Sequence, residues 1–227
     1  MSRKITIVAA TAGELQYLQD HLNKEALEDH PDSFQFGDLQ IDILITGIGI
    51  VHATFSLMDY LHTHQPEVWI QAGIGGALDR SLEIGKTYVI QTESLLNFGA
   101  QDKDGTILSP FQLGWLKEDD FPYQNELLVC KHIPAAFTLP IVSGITSMFA
   151  HGFEEDIQKL SISMRGQIES MEGFPFFYVS IMKNIPFISL RAVSNYVESR
   201  NKENWQIDEA VKNLNKVLIG IIEEKLF

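Results

Sequence analysis

Three features of the sequence predict an α/β fold, built in three layers with helices on both sides of a central mixed sheet. Short runs of branched and apolar residues recur along the chain, segments with apolar residues at three-to-four spacing lie between many of them, and glycines cluster where the apolar runs end. The runs have the composition of strands buried on both faces. The spaced segments are those of helices packed on a sheet. The glycines fall where an open α/β sheet places its ligand crevice. A chain of 227 residues with 45% hydrophobic content can bury one sizeable core, so residues 1–227 are read as a single domain.

Taken in order, the first strand is expected over Ile5–Ala10 and leads into a helix over Thr11–Leu22. A second strand, Ile41–Thr46, ends in Gly47-Ile48-Gly49 and precedes a helix over Val51–His62. Strands then follow at Val68–Ala72, closed by Gly73-Ile74-Gly75-Gly76, at Thr87–Thr92, and at Leu139–Ser143, closed by Gly144. A helix over Met171–Met182, a strand over Phe187–Val193 and a last helix over Trp205–Leu226 complete the layout. Between Asn97 and Tyr123 the chain is polar, weakly periodic and punctuated by Gly and Pro, which reads as an excursion from the one domain.

Charge and composition exclude several classes of function. A formal net charge of -13 repels a phosphate backbone, so binding to DNA, RNA or an anionic membrane is not expected. Cys130 is the only cysteine, which rules out an internal disulfide, and Ile5–Ala10 is too short and badly flanked for a signal peptide. The longest late apolar stretch, Val217–Ile222, is bounded by Lys216 and Glu223 and falls far short of a membrane span. A cytoplasmic protein is expected. The seven histidines lack paired ligand spacing supported by cysteines, and His62 and His64 point to different faces of a helix, so no metal site is expected.

Individual motifs leave alternatives open. Neither glycine cluster is a dinucleotide fingerprint or a P-loop, and each alone reads equally well as a tight turn. Glu14 follows the first strand and so projects near the crevice, where partial burial could tune it as a base; alone it would read as a surface helix glutamate. Met171-Glu172 opens an almost wholly apolar segment, which places a carboxylate at the head of a buried helix. Ser194-Asn195 ends a strand, where an Asn offers a bound ring both a donor and an acceptor, or simply makes a turn.

The combination is more specific. Ile7-Val8-Ala9-Ala10 with Glu14, Thr46–Gly49, Ala72–Gly76, Ser143-Gly144, Ser170–Gly173 and Leu190–Asn195 together resemble the nucleoside phosphorylase and nucleosidase superfamily over nearly the whole chain. Among its branches the chain is similar to the methylthioadenosine/S-adenosylhomocysteine nucleosidases. It is most similar to the futalosine hydrolases, through Glu169–Gly173, Arg191–Asn195 and Trp205.

The resemblance implies roles residue by residue. Glu14 matches the water-activating carboxylate, Met171 and Glu172 match the pair that holds the ribose, and Gly73, Ile74, Ser147 and Met148 complete the implied substrate-binding set. Asn195 matches the base-contacting position, which is an aspartate in the adenine-specific nucleosidases. An amide is no general acid, but it can donate hydrogen bonds to an oxygen and a ring nitrogen of a 6-oxopurine, so hypoxanthine is the implied leaving group.

Phosphorylases of the superfamily hold phosphate with arginines near the first and third strand ends and a hydroxyl residue in the third-strand glycine turn. Here Gln71 and Ile74 stand at the latter positions and no arginine follows the first strand, so water is the implied nucleophile. The resemblance further implies a homodimer without cofactor, acting on futalosine in menaquinone biosynthesis. For the carboxylated aromatic tail of that nucleoside the candidate contacts are Phe149, Phe153 or Trp205 and Arg200.

Overall fold

The computed structural model describes residues 3–30, 32–163 and 166–227. The first half contains β1 (Arg3–Ala9), a 3-10 turn (Ala12–Leu15), α1 (Gln16–Glu25), β2 (Leu27–His30), β3 (Ser33–Phe36), β4 (Leu39–Ile45), α2 (Ile50–Thr63), β5 (Val68–Ala77) and β6 (Thr87–Leu95). Two short strands, β7 (Ala100–Gln101) and β8 (Ile107–Leu108), pair only with each other, and β9 (Leu128–Val129) joins β6. Then come β10 (Ile141–Thr146), α3 (Glu154–Ser163), β11 (Ile168–Ser170), α4 (Gly173–Met182), β12 (Phe187–Tyr196) and α5 (Ile207–Glu223).

The main sheet runs β11-β10-β6-β12-β5-β1-β4-β3-β2 and is mixed, as expected: β1 lies parallel to β4 and β5, whereas β12 runs parallel to β5 and antiparallel to β6. Side chains alternate along its strands. Ile5 and Ile7 of β1 and Ile70 of β5 join one buried cluster, with Leu18 and Leu22 of α1 and Leu214 and Leu218 of α5. Val8 and Trp69, from the opposite face of the same strands, pack with Leu57 of α2 and Phe176 and Phe177 of α4. Helices therefore cover both faces, which is why these strands read as continuous apolar runs. Among the described residues no helix is long and apolar enough to cross a membrane.

Several boundaries differ from the sequence reading. β5 does not stop at Ala72 but runs through the glycines to Ala77, because β12 pairs parallel along it that far and β11 pairs antiparallel across its end, Ile168 with Ala77 and Glu169 with Gly76. A Cβ at Gly75 would stand 2.6 Å from Ile168 Cγ2 and 2.8 Å from Glu169 O, so the glycines serve close strand approach rather than a turn. Since β11 also pairs with β10, the strands β5, β12, β6, β10 and β11 close into a ring.

β10 starts after Pro140, which has no N–H for a ladder, and continues to Thr146, so Gly144 lies inside it. Ser194 and Asn195 are strand residues of β12, not a turn. α4 begins at Gly173 with Glu172 as its N-cap, so Met171 and Glu172 precede the helix. α5 begins at Ile207, after a 3-10 turn at Lys202–Asn204, instead of at Trp205. The strands β2, β3, β7, β8, β9 and β11 and the helix α3 had no counterpart in the sequence reading.

Candidate active site

Glu14 is held from three sides. In the 3-10 turn after β1 its Oε2 accepts from Thr11 N at 2.9 Å and Thr11 Oγ1 at 3.1 Å, while Oε1 accepts from Ile74 N of β5 at 3.1 Å. Buried Asn215 of α5 fixes the turn itself, donating to Glu14 O at 2.8 Å and accepting from Leu18 N at 2.9 Å. A Cβ at Gly73 would meet Glu14 Oε1 at 3.0 Å and Arg191 Nη1 at 3.4 Å, so any side chain there would wedge between a carboxylate and a guanidinium.

Glu172 is anchored through the other glycine cluster. Gly47 and Gly49 adopt φ of +80° and +91°, turning the chain from β4 into α2, and Gly49 N donates to Glu172 Oε1 at 2.7 Å. Burial pushes the Glu172 carboxyl upward, opposed by the Gly49 N–H and Arg191 and reinforced by Glu14. Gln71 is committed to structure: its Nε2 donates to Glu172 O at 3.0 Å and its Oε1 accepts from Ser189 Oγ at 2.9 Å.

Beneath these groups lies Arg191, only 3% exposed, and behind it the buried Glu93. Burial raises Glu93 to about 8, against the pull of Arg191, of Thr146 Oγ1 donating at 3.0 Å and of the Ser94 N–H. Between the ordinary carboxylate range and about pH 8 the unfolded chain releases a proton that folded Glu93 keeps, so this group makes stability greatest at low pH and erodes it as pH rises through that window. The thermal midpoint should fall on going from about pH 5 to pH 8, and Glu93→Gln should make the fall shallower. An equal slope in the variant would mean that Glu93 titrates as an exposed acid does.

These elements enclose a cavity of about 700 Å³. Glu14, Ile74, Met171, Glu172 and Asn195 all line it, so five of the eight residues given roles at the water, ribose or base by the resemblance converge there. The other three do not line it. Gly73 has no side chain and its Cβ position is closed off by Glu14 and Arg191. Ser147 is buried, its N donating to Ser170 O at 2.9 Å and its Oγ accepting from Phe149 N at 3.3 Å. Met148 is 61% exposed.

The amide of Asn195 has a defined orientation: Oδ1 accepts from Ser194 Oγ at 2.8 Å and Nδ2 donates to Tyr196 O at 2.8 Å. A flipped amide would set its oxygen against the Tyr196 carbonyl.

Toward solvent, Arg200 stacks on Trp205 with 5.4 Å between guanidinium carbon and ring centroid, and both line the cavity. Phe149 and Phe153 are exposed and are not part of its lining.

Three residues of the site were given no role in the sequence reading: His151, Glu169 and Arg191. His151 and Glu169 are both buried, line the cavity and are bonded to each other, His151 Nδ1 to Glu169 Oε1 and His151 N to Glu169 Oε2 at 3.1 Å. Glu169 and Arg191 stand inside the quoted motifs, but only the pairing of β11 with β5 brings Glu169 to the cavity. Among the described residues no group of three or more His, Cys, Asp or Glu side chains is placed to hold a metal ion.

The family model of the phosphorylase superfamily matches residues 4–223. The chain belongs to that superfamily. A futalosine hydrolase of Helicobacter pylori strain 26695 has the same fold, with a TM-score of 0.78 at 14% identity over 99% of each chain. By sequence the chain is 23% identical over 236 residues to a 5'-methylthioadenosine/S-adenosylhomocysteine nucleosidase of Desulfotalea psychrophila, covering 97% of both. It is 24% identical over 186 residues to a futalosine hydrolase of Thermus thermophilus, covering 80% of this chain and 81% of that one. These superfamily relatives are nucleosidases, that is, N-glycosyl hydrolases.

Proposed function

We propose that this chain is an N-glycosyl hydrolase of purine nucleosides and that its substrate is futalosine, cleaved to hypoxanthine and the base-free tail-bearing ribose in menaquinone biosynthesis. The observation that carries this reading is the convergence of Glu14, Glu172 and an oriented Asn195 amide on one cavity. Glu14 positions and deprotonates the attacking water, Glu172 holds the ribose hydroxyls, and the base departs through an oxocarbenium-like transition state polarised by Asn195. Met171 and Ile74 supply apolar contact beside them. The stacked Arg200 and Trp205 suit a carboxylated aromatic tail, the guanidinium for the carboxylate and the indole for the ring.

Water is favoured over phosphate because, among the described residues, the guanidinium close to Glu14, that of Arg191, is buried and does not line the cavity. Beside Glu14 a phosphate dianion would find no cation among the described residues to replace its hydration. We read the whole chain as one cytoplasmic domain working as a homodimer. Support for a second copy comes from Ile48, Val51 and Phe55, exposed side by side at the start of α2 with Ile48 lining the cavity.

A second reading, a methylthioadenosine/S-adenosylhomocysteine nucleosidase, draws on the 97% coverage of that relative. One experiment separates the two: purified protein with futalosine, inosine or methylthioadenosine, with and without excess phosphate, followed by chromatography of base and sugar. Hypoxanthine and a free reducing sugar are expected from futalosine. Preferential release of adenine from methylthioadenosine would favour the second reading, and a ribose 1-phosphate product would overturn hydrolysis.

A further inference from the structure

We propose that His151 is the general acid that protonates the departing base, and that Glu169 is the positioning residue that holds its ring. This rests on the nucleosidase reading above. Hydrolysis leaves a purine carrying the electron pair of the broken glycosidic bond, and that pair needs a proton. Asn195, at the base-contacting position, cannot supply one, because an amide does not ionise in the accessible range. Glu14 is committed to removing a proton from water, and Glu172 is tied to the Gly49 N–H.

The strand register puts the carboxylate partner of the alternative donor on the same wall of the cavity as the amide. In β5, Gly76 pairs with Asn195 of β12 on one side and with Glu169 of β11 on the other, so the two residues flank a single glycine at one end of the cavity. A Cβ at Gly76 would lie 3.5 Å from Asn195 Nδ2. His151 is bonded to Glu169 through both its backbone N–H and its ring. A carboxylate only accepts, so Nδ1 carries the hydrogen and the working nitrogen is Nε2, which has no hydrogen-bond partner among the described residues. The ring packs against Phe149, centroids 4.5 Å apart, which limits its rotation. Protonated, the imidazole is paired with a carboxylate instead of standing isolated in a buried wall. The other charged groups facing this cavity are Glu14, Glu172, Arg200 and Asp208.

The step balances without a co-reactant. The glycosidic bond breaks with its electrons going to the purine, whose ring nitrogen takes the proton from His151 Nε2. Water adds its hydroxyl to the anomeric carbon and gives its proton to Glu14. Solvent then returns a proton to His151 and removes one from Glu14.

The test compares wild type, His151→Gln and Glu169→Gln on futalosine and on futalosine methylated at the purine N7. The methylated ring is already cationic and leaves as a neutral base with no proton required. His151→Gln should lose roughly a hundredfold in kcat/KM on futalosine and little on the methylated substrate, the scale expected for loss of a general acid.

Glu169→Gln should show the same split between the two substrates with a smaller loss, because it leaves Nε2 in place and weakens only the hold on Nδ1. A melting curve of each variant checks that it is folded. Equal losses on both substrates in His151→Gln would overturn the assignment of the acid, and equal losses on both in Glu169→Gln would overturn the positioning role. Wild type releasing no base from either substrate would instead bring down the nucleosidase reading and this proposal with it.

Discussion

Glu14→Gln should lower turnover of the nucleoside by roughly a hundredfold or more, the usual scale for loss of a general base, while substrate binding survives. The geometry makes the expectation specific. Both carboxylate oxygens accept hydrogen bonds from N–H or O–H groups of Thr11 and Ile74. A glutamine keeps one accepting oxygen and turns an NH2 toward the remaining donors, so one bond is lost and about 1–3 kcal/mol of stability with it.

The variant should therefore melt somewhat lower, bind a nucleoside analogue as judged by the thermal shift that the analogue induces, and fail in single-turnover chemistry. That pattern separates loss of the base from loss of the fold. Near-normal single-turnover rates would remove Glu14 from the mechanism.

Asn195→Asp should cut activity on the hypoxanthine nucleoside by roughly tenfold or more, and shift preference toward the adenine nucleoside. Hypoxanthine presents an acceptor oxygen at position six beside an acceptor ring nitrogen, which the Nδ2 hydrogen not donated to the Tyr196 carbonyl can serve. Adenine presents a donor at that position and calls for an acceptor on the protein. A buried mismatch leaves a polar group unpaired, at about 1–3 kcal/mol. The new carboxyl would place one oxygen where Nδ2 now donates to the Tyr196 carbonyl, and a charged carboxylate is repelled there. Hypoxanthine release by the variant should therefore recover as pH falls and that oxygen takes a proton. Rates on matched hypoxanthine and adenine nucleosides across pH decide the matter. A ratio unmoved at every pH would show that Asn195 does not select the base.

The parts of the molecule visible in the sequence are those with long-range regularity. β1, β4, β5 and β12 read as apolar runs because helices bury both of their faces, and Glu14, Glu172 and Asn195 stand next to such runs. What was missed has little periodicity to offer. β2 is Leu-Glu-Asp-His and pairs at the sheet edge with β3, β9 has two residues, and β11 has three. Gly73–Gly76 reads as a strand end since three of the four residues carry no side chain, and they continue as strand because distant β12 pairs along all of them and β11 crosses their end. The same crossing hid the His151–Glu169 pair, whose place in the cavity wall that also carries Asn195 depends on a contact between distant parts of the chain. Arg191 sits in the middle of an apolar strand, and its neighbours Glu93 and Glu172 come from other elements.

The closed ring of β5, β12, β6, β10 and β11 also bears on when the site comes into being. Its closing contact joins Gly76 to Glu169, so the loop it shuts spans the intervening chain, and closure entropy is offset only once β10 and β11 are both in place. During synthesis the β1–β4 pair can form early, while the wall carrying Glu169, Met171 and Glu172 waits for the later half. Once shut, β11 has a partner on each side and cannot fray as an edge strand does. In native-state hydrogen exchange, the ladder amides of β11 should thus be released with the globally protected core, and those of the β2–β3 edge well before it.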